Sequence, residues 1–193
     1  MRSTVATVAG RPAASPLVAV DVVIFTIAHG ALQALLVEVK NGPFAGRWAF
    51  PGGLVSVGES PETTATRELF TQTGIHDLYL EQLRTFGEPA RDPHAHVVSV
   101  AYFALVPSKD AVTAGSPKYT RLEWFPVRAL PSLAYDHTAV AHYALTRLQA
   151  KLETQHPHHR GGGAVQRQVL HHADHPHHWL RRLHHRLHRA SGG

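Results

Sequence analysis

The sequence predicts a three-layer α/β/α sandwich, and three observations carry that expectation. Runs rich in β-branched and aromatic residues at 18–27, 32–39 and 97–106 read as strands. A helix is framed between Ser60-Pro61-Glu62 and Gly74. A second amphipathic stretch at 139–152 sets Val140, Tyr143, Ala144 and Leu148 at helical spacing. Strands accompanied by two helices bury most apolar surface when the helices cover opposite faces of one sheet.

The elements follow in chain order. Residues 18–27 form the first strand, and Gly30 turns the chain into the second at 32–39, giving a hairpin. Asn41-Gly42-Pro43 breaks that strand. Arg47-Trp48-Ala49-Phe50 leads through Pro51-Gly52-Gly53 to the first helix. Ser60 is a good N-cap, Pro61 suits the first turn, and Glu62 complements the positive end of the helix dipole. Gly74 is placed to close the helix in a left-handed conformation. Residues 78–86 alternate well enough for a strand, and Arg91-Asp92-Pro93 is a turn. The stretch 97–106 has little charge and much Val, Tyr and Phe, which suggests a central strand. A short strand at 122–127 precedes Pro131 and the second helix.

The 193 residues suffice for one domain with a full core and little more. No apolar run approaches the roughly 20 residues of a membrane helix. Residues 1–16 lack the apolar centre of a signal peptide and are expected to be disordered. The chain has no cysteine, which excludes disulfides and thiolate chemistry and fits the cytoplasm. The net charge of +5 resides wholly in residues 155–193, which hold six arginines and one acid; residues 1–154 balance at 13 basic and 13 acidic. The domain at 17–154 therefore gives no electrostatic case for nucleic acid.

One run carries the chemistry. Five residues separate Gly53 from Glu59, seven separate Glu59 from Arg67, and the run ends Arg67-Glu68-Leu69-Phe70-Thr71-Gln72-Thr73-Gly74-Ile75. This resembles the Nudix box, the signature of hydrolases that cleave nucleoside diphosphates linked to another group. The resemblance implies a Nudix fold with a mixed sheet. In the family, three carboxylates of the box helix hold divalent metal against the substrate diphosphate. Here Thr71 and Gln72 stand where the box has paired glutamates. Glu68, Thr71 and Gln72 are spaced to share one helix face, which keeps one formal negative charge of three. Magnesium prefers hard oxygen ligands, so binding is expected to be weak. Chemistry is expected to slow by roughly 100-fold or more.

By the same resemblance Glu68 is the main surviving metal ligand, Glu59 an accessory ligand, and Arg67 the residue that orients its neighbour. Gly52, Gly53 and Gly58 fit a tight loop that lets backbone approach phosphates. Beyond the box, Asp21 to Thr26, Phe44 to Gly53, Tyr79 to Leu83, the stretch 85–93, the stretch 97–106 and Leu133-Ala134-Tyr135-Asp136-His137 are similar to the ADP-ribose pyrophosphatase branch. They are also similar to the Nudix-related transcriptional regulators of NAD metabolism (NrtR type), which sense ADP-ribose or a related metabolite and carry a winged helix after the Nudix domain. Arg47, Arg84 and Arg91 are candidates for phosphate contact, with a solvated surface role equally open. Trp48 and Phe86 fit either adenine stacking or, more readily, the core. Glu88 and Asp92 are candidate bases.

Two functions stay open at this point. One is a sensor that binds an ADP-ribose-like nucleoside diphosphate with weak or lost hydrolysis. The other is a magnesium-dependent hydrolase releasing AMP and ribose 5-phosphate. A homodimer is implied by the branch; DNA binding in this form and membrane association are not expected. After Glu153 the resemblance stops, and residues 156–188 hold 11 of the 17 histidines. This His/Arg-rich tail reads as disordered, with a metal site, a basic nucleic-acid arm or a frameshifted winged helix as the other readings.

Overall fold

The computed structural model describes residues 7–8, 11–12, 15–108 and 119–154. The His/Arg-rich tail and most of residues 1–16 lie outside the described residues. Within the first segment, β1 (Thr7–Val8) pairs antiparallel with β2 (Arg11–Pro12).

The body is one mixed seven-stranded sheet among the described residues. Its strands are β3 (Leu17–Ala28), β4 (Ala31–Val39), β5 (Trp48–Ala49), β6 (Gly52–Leu54), β7 (Glu81–Phe86), β8 (Val97–Leu105) and β9 (Tyr119–Pro126). The path runs β5-β4-β3-β8-β7, with β6 added to β3 and β9 to β4. The β3–β8 pair is parallel and the others are antiparallel. The expected hairpin at Gly30 is present, with His29 and Gly30 both at positive φ. The 97–106 run does lie inside the sheet, between β3 and β7.

Alternation along β3 divides the core in two. Val20, Val22 and Ile24 face α1 (Pro61–Thr73), where they meet Ala65, Leu69 and Ile75. Val23 and Phe25 face α2 (His137–Thr154), where they meet Val140, Ala144 and Leu148. A strand puts successive side chains on opposite faces, so one largely apolar strand serves both helices. This is the expected three-layer sandwich.

The caps of α1 are those its sequence specifies. The Ser60 hydroxyl accepts from the Thr63 amide at 3.1 Å, and Gly74 closes the helix at φ 74°. Two details differ from expectation. The 78–86 strand begins only at Glu81, because Leu78 and Leu80 pack against the α1-side core instead of joining the ladder. The short strands β5 and β6 flank Pro51 and are too brief to show periodicity, yet they set the site. β6 pairs Gly52 with Asp21 and Gly53 with Val20, which lays the glycine loop along the first half of β3.

Candidate functional site

The box residues assemble around Arg67. Its Nε and one terminal nitrogen donate to the two oxygens of Glu59 at 2.9 and 2.8 Å, and the other terminal nitrogen donates to Glu68 Oε1 at 2.7 Å. The Thr64 hydroxyl also donates to Glu59, at 2.8 Å. These bonds, Arg67's first, hold the Glu59 carboxyl down at about 2. Arg67 therefore does orient its neighbour. Glu59 is occupied as the other jaw of the same clamp.

Glu68 leans on the glycine loop. A Cβ added at Gly53 would come within 2.7 Å of the Glu68 carboxyl carbon. Gln72, one turn further along α1, is buried at 1% exposure and reaches the same loop. Its Nε2 donates to the Gly52 carbonyl at 2.7 Å and to Glu68 Oε2 at 2.5 Å, while its Oε1 accepts from the Gly52 amide at 3.1 Å. Glu68 and Gln72 thus meet as their spacing predicts. Thr71 is exposed on the helix.

A second cluster lies behind the loop, and sequence reasoning found only one of its members. Arg91 donates to both oxygens of Asp136, at 3.0 and 2.7 Å, and to Asp21 Oδ2 at 3.1 Å. The Ser99 hydroxyl donates to the same Asp21 oxygen at 2.6 Å. His137 accepts from the Phe50 amide through Nδ1 at 3.0 Å, which leaves Nε2 as its donor nitrogen, 3.3 Å from Asp21 Oδ1. Burial alone would raise the Asp21 carboxyl; the partners His137, Arg91 and Ser99 outweigh it and bring the group down to about 2.

A cavity of about 500 Å³ opens over the second cluster, and Glu59, Arg67, Glu68 and Gln72 are not in its lining. Gly52 and Gly53 form part of its wall, Asp21, Arg91 and His137 its charged floor, and Lys40, Asp92 and Tyr135 stand around it. Tyr135 sits at φ 52°, a rare conformation for a side-chain-bearing residue, and packs against the rings of Phe44 and His137. Of the expected phosphate contacts, Gly52, Gly53 and Arg91 line this space. Arg91 reaches it already engaged by two carboxylates. Arg47 lies over the Phe44 ring and Arg84 over Phe86 and Tyr143; neither is in the lining. Trp48 is 8% exposed, set edge-on to Phe125 in the α2-side core, and Phe86 packs against that core. Of the candidate bases, Asp92 lines the cavity and accepts from the His94 amide; Glu88 is not in the lining.

The signals that could have found Asp21 and His137 are simple ones. Asp21 is a charge inside an otherwise apolar strand, in phase with the inward-facing Val23 and Phe25. His137 opens a helix directly after an Asp.

A divalent cation does not fit these residues as they stand. Both oxygens of Glu68 face donors, those of Glu59 face Arg67 and Thr64, and no group of three or more His, Asp or Glu able to hold a metal occurs among the described residues. Also among the described residues, no helix is long and apolar enough to cross a membrane.

Comparison with known proteins bears on the family and the fold. The NUDIX domain family matches residues 15–148. The ADPR responsive transcriptional repressor NtrR of Acinetobacter baylyi is 38% identical over 141 residues, which span 71% of this chain and 56% of the repressor. This chain thus covers little more than half of that relative's length. The ADP-ribose pyrophosphatase of Methanocaldococcus jannaschii is 34% identical over 125 residues, 65% of this chain and 70% of that enzyme. Among solved structures, the NUDIX domain of Shewanella oneidensis NrtR complexed with ADP ribose superposes with a TM-score of 0.65 at 34% identity, covering 70% of this chain and 90% of that one.

Proposed function

This chain belongs to the NUDIX domain family, and we propose that it binds an ADP-ribose-like nucleoside diphosphate as a sensor, with hydrolysis weak or lost. The observation that carries the reading is the state of Glu68. Its two oxygens are taken by Arg67 and Gln72, while the cavity lined by Gly52 and Gly53 remains open. A volume of about 500 Å³ is within the range of small-molecule sites. The Shewanella oneidensis domain, seen with ADP ribose, supports the ligand class.

In this reading the ligand's diphosphate lies along Gly52 and Gly53, where the chain carries no side chain to exclude it. Lys40 and the polar floor orient it. Arg91 acts as a positioning residue, because its charge is already matched by Asp21 and Asp136. Magnesium, which Nudix hydrolases generally use, contributes little here. The molecule is proposed to be cytoplasmic and to form a homodimer, and DNA binding is not part of the proposal.

The second reading, an active hydrolase, is favoured by the likeness to the Methanocaldococcus jannaschii pyrophosphatase. A phosphorus NMR time course of ADP-ribose with stoichiometric protein and excess magnesium separates the two. Shifted or broadened diphosphate signals without conversion are expected. Conversion to the two phosphomonoester signals of AMP and ribose 5-phosphate would make the protein an enzyme. An unchanged spectrum would reject ADP-ribose as the ligand.

A further inference from the structure

We propose that the Gln72 carboxamide is a built-in replacement for a divalent cation, so that the glycine loop is fixed to the helix, and the ligand bound, without metal. The ligand half of this rests on the nucleotide-binding reading above; the structural half does not. The Gly52 carbonyl and Glu68 Oε2 converge on one point, which Gln72 Nε2 occupies at 2.7 and 2.5 Å. Two hard oxygens converging from different elements are what a divalent cation selects. Here two N–H donors of one amide satisfy them instead.

The amide can sit only one way round. Nε2 faces two acceptors and Oε1 faces the Gly52 N–H, so a flipped amide would set oxygen against two oxygens and an NH₂ against an N–H. The lock is also enclosed, since Gln72 is 1% exposed. Bonds in such a place are not exchanged for water, and an unmatched acceptor there is costly. Loop and helix are therefore joined at both the carbonyl and the amide of one residue, Gly52.

Glutamate at this position reverses the logic. Its carboxylate would face the Gly52 carbonyl and the Glu68 carboxylate with no donor between them. Three oxygen groups would then converge, and folding would call for a cation. One side-chain atom at position 72 thus decides whether the pocket needs metal.

The test uses the full chain and its Gln72→Glu variant in thermal melts with EDTA and with excess magnesium. The wild-type midpoint is expected to be the same in both buffers. The variant is expected to melt at least about 5 °C lower in EDTA and to recover most of that loss in magnesium. A wild-type midpoint that rises with magnesium as much as the variant's overturns the proposal. Should Gln72→Glu fail to fold in either buffer, Gln72→Met decides. It removes both donors at similar size, and should lower the midpoint by an amount indifferent to magnesium; a wild-type midpoint in that variant overturns the lock. Calorimetric titration with ADP-ribose is expected to give a wild-type Kd equal within about twofold in EDTA and magnesium; tightening by tenfold or more (about 1.4 kcal/mol) overturns metal independence. Absence of binding in both buffers counts against the ligand assignment alone, and the melts still decide the lock.

Discussion

Two arginines in this chain each bridge two carboxylates, and water is what distinguishes them. The Arg67 side chain is 39% exposed, between Glu59 and Glu68. The Arg91 side chain is 4% exposed, between Asp21 and Asp136. The glycine loop lies between the two clamps, with Gly53 against Glu68 and Gly52 against the backbone at Val20 and Asp21. An exposed pair contributes little to stability, since solvent screens it and side-chain entropy opposes it. A buried pair is different: its net contribution is small, but losing one partner strands the other charge. The outer clamp is thus suited to shaping Glu68 and the inner clamp to holding the fold around the cavity.

The largest effect that follows is on Arg91. Arg91→Met leaves two carboxylates without their cation, and about 3–5 kcal/mol of stability is expected to be lost in urea denaturation. Arg67→Met should shift the same curve far less. Equal losses would break the comparison, because burial would then have made no difference.

The outer clamp is local in the sequence and the inner one is not, although only the Arg67–Glu68 half of the outer clamp was expected, by resemblance. Glu59, Arg67 and Glu68 lie within ten residues, on a loop and helix whose caps are also local. Spacing alone brings them together. Arg91 meets partners 70 and 45 positions away, brought there by the parallel β3–β8 pair and the docking of the segment before α2 against Trp48. Nothing local announces such contacts, so Arg91 read as either a phosphate contact or a solvated surface arginine, and not as a buried ion pair. The strands of nine or more residues were legible from their β-branched and aromatic runs, α1 from its caps and α2 from its periodicity. The two- and three-residue strands beside Pro51 were not, since they are held by partners and not by pattern. Gln72 lay between these cases. Its spacing from Glu68 was plain, but its bonds to Gly52 depend on β6 lying across β3.

The next effect sharpens the comparison at neighbouring positions. A Cβ at Gly52 would lie 2.2 Å from the Val20 carbonyl oxygen, which is backbone inside the sheet. At Gly53 it would lie 2.7 Å from the end of the Glu68 side chain, which can swing away. Gly52→Ala should therefore cost about 3 kcal/mol, the upper part of the range for overpacking, and Gly53→Ala nearer 1 kcal/mol. Gly53→Ala should nonetheless weaken ADP-ribose binding while lowering the melting temperature by only about 2–4 °C. If the two variants melt alike, the inner side of the loop is no more rigid than the outer.

The smallest effect concerns acid. Asp21 is held at about 2 against an ordinary value of 3.8. Its folded-state pKa is depressed, so the stability it contributes is present above about 3.8 and is lost as pH falls through about 2. That stability is on the order of 2 kcal/mol. Asp21→Asn should flatten the stability curve by this amount between those limits, while lowering stability near neutral pH because Arg91 keeps one carboxylate of two. Glu59 is also held at about 2, so it titrates in the same window with the same sign. Salt separates them. The Glu59 pair is exposed and its share should shrink as ionic strength rises, whereas the Asp21 share is enclosed and should persist. Chemical denaturation of Asp21→Asn and Glu59→Gln from pH 5 to pH 2, at low and high salt, measures both shares. An acid limb that survives Asp21→Asn but disappears in Glu59→Gln would assign the pH response to the exposed clamp and overturn the division drawn between the two arginines.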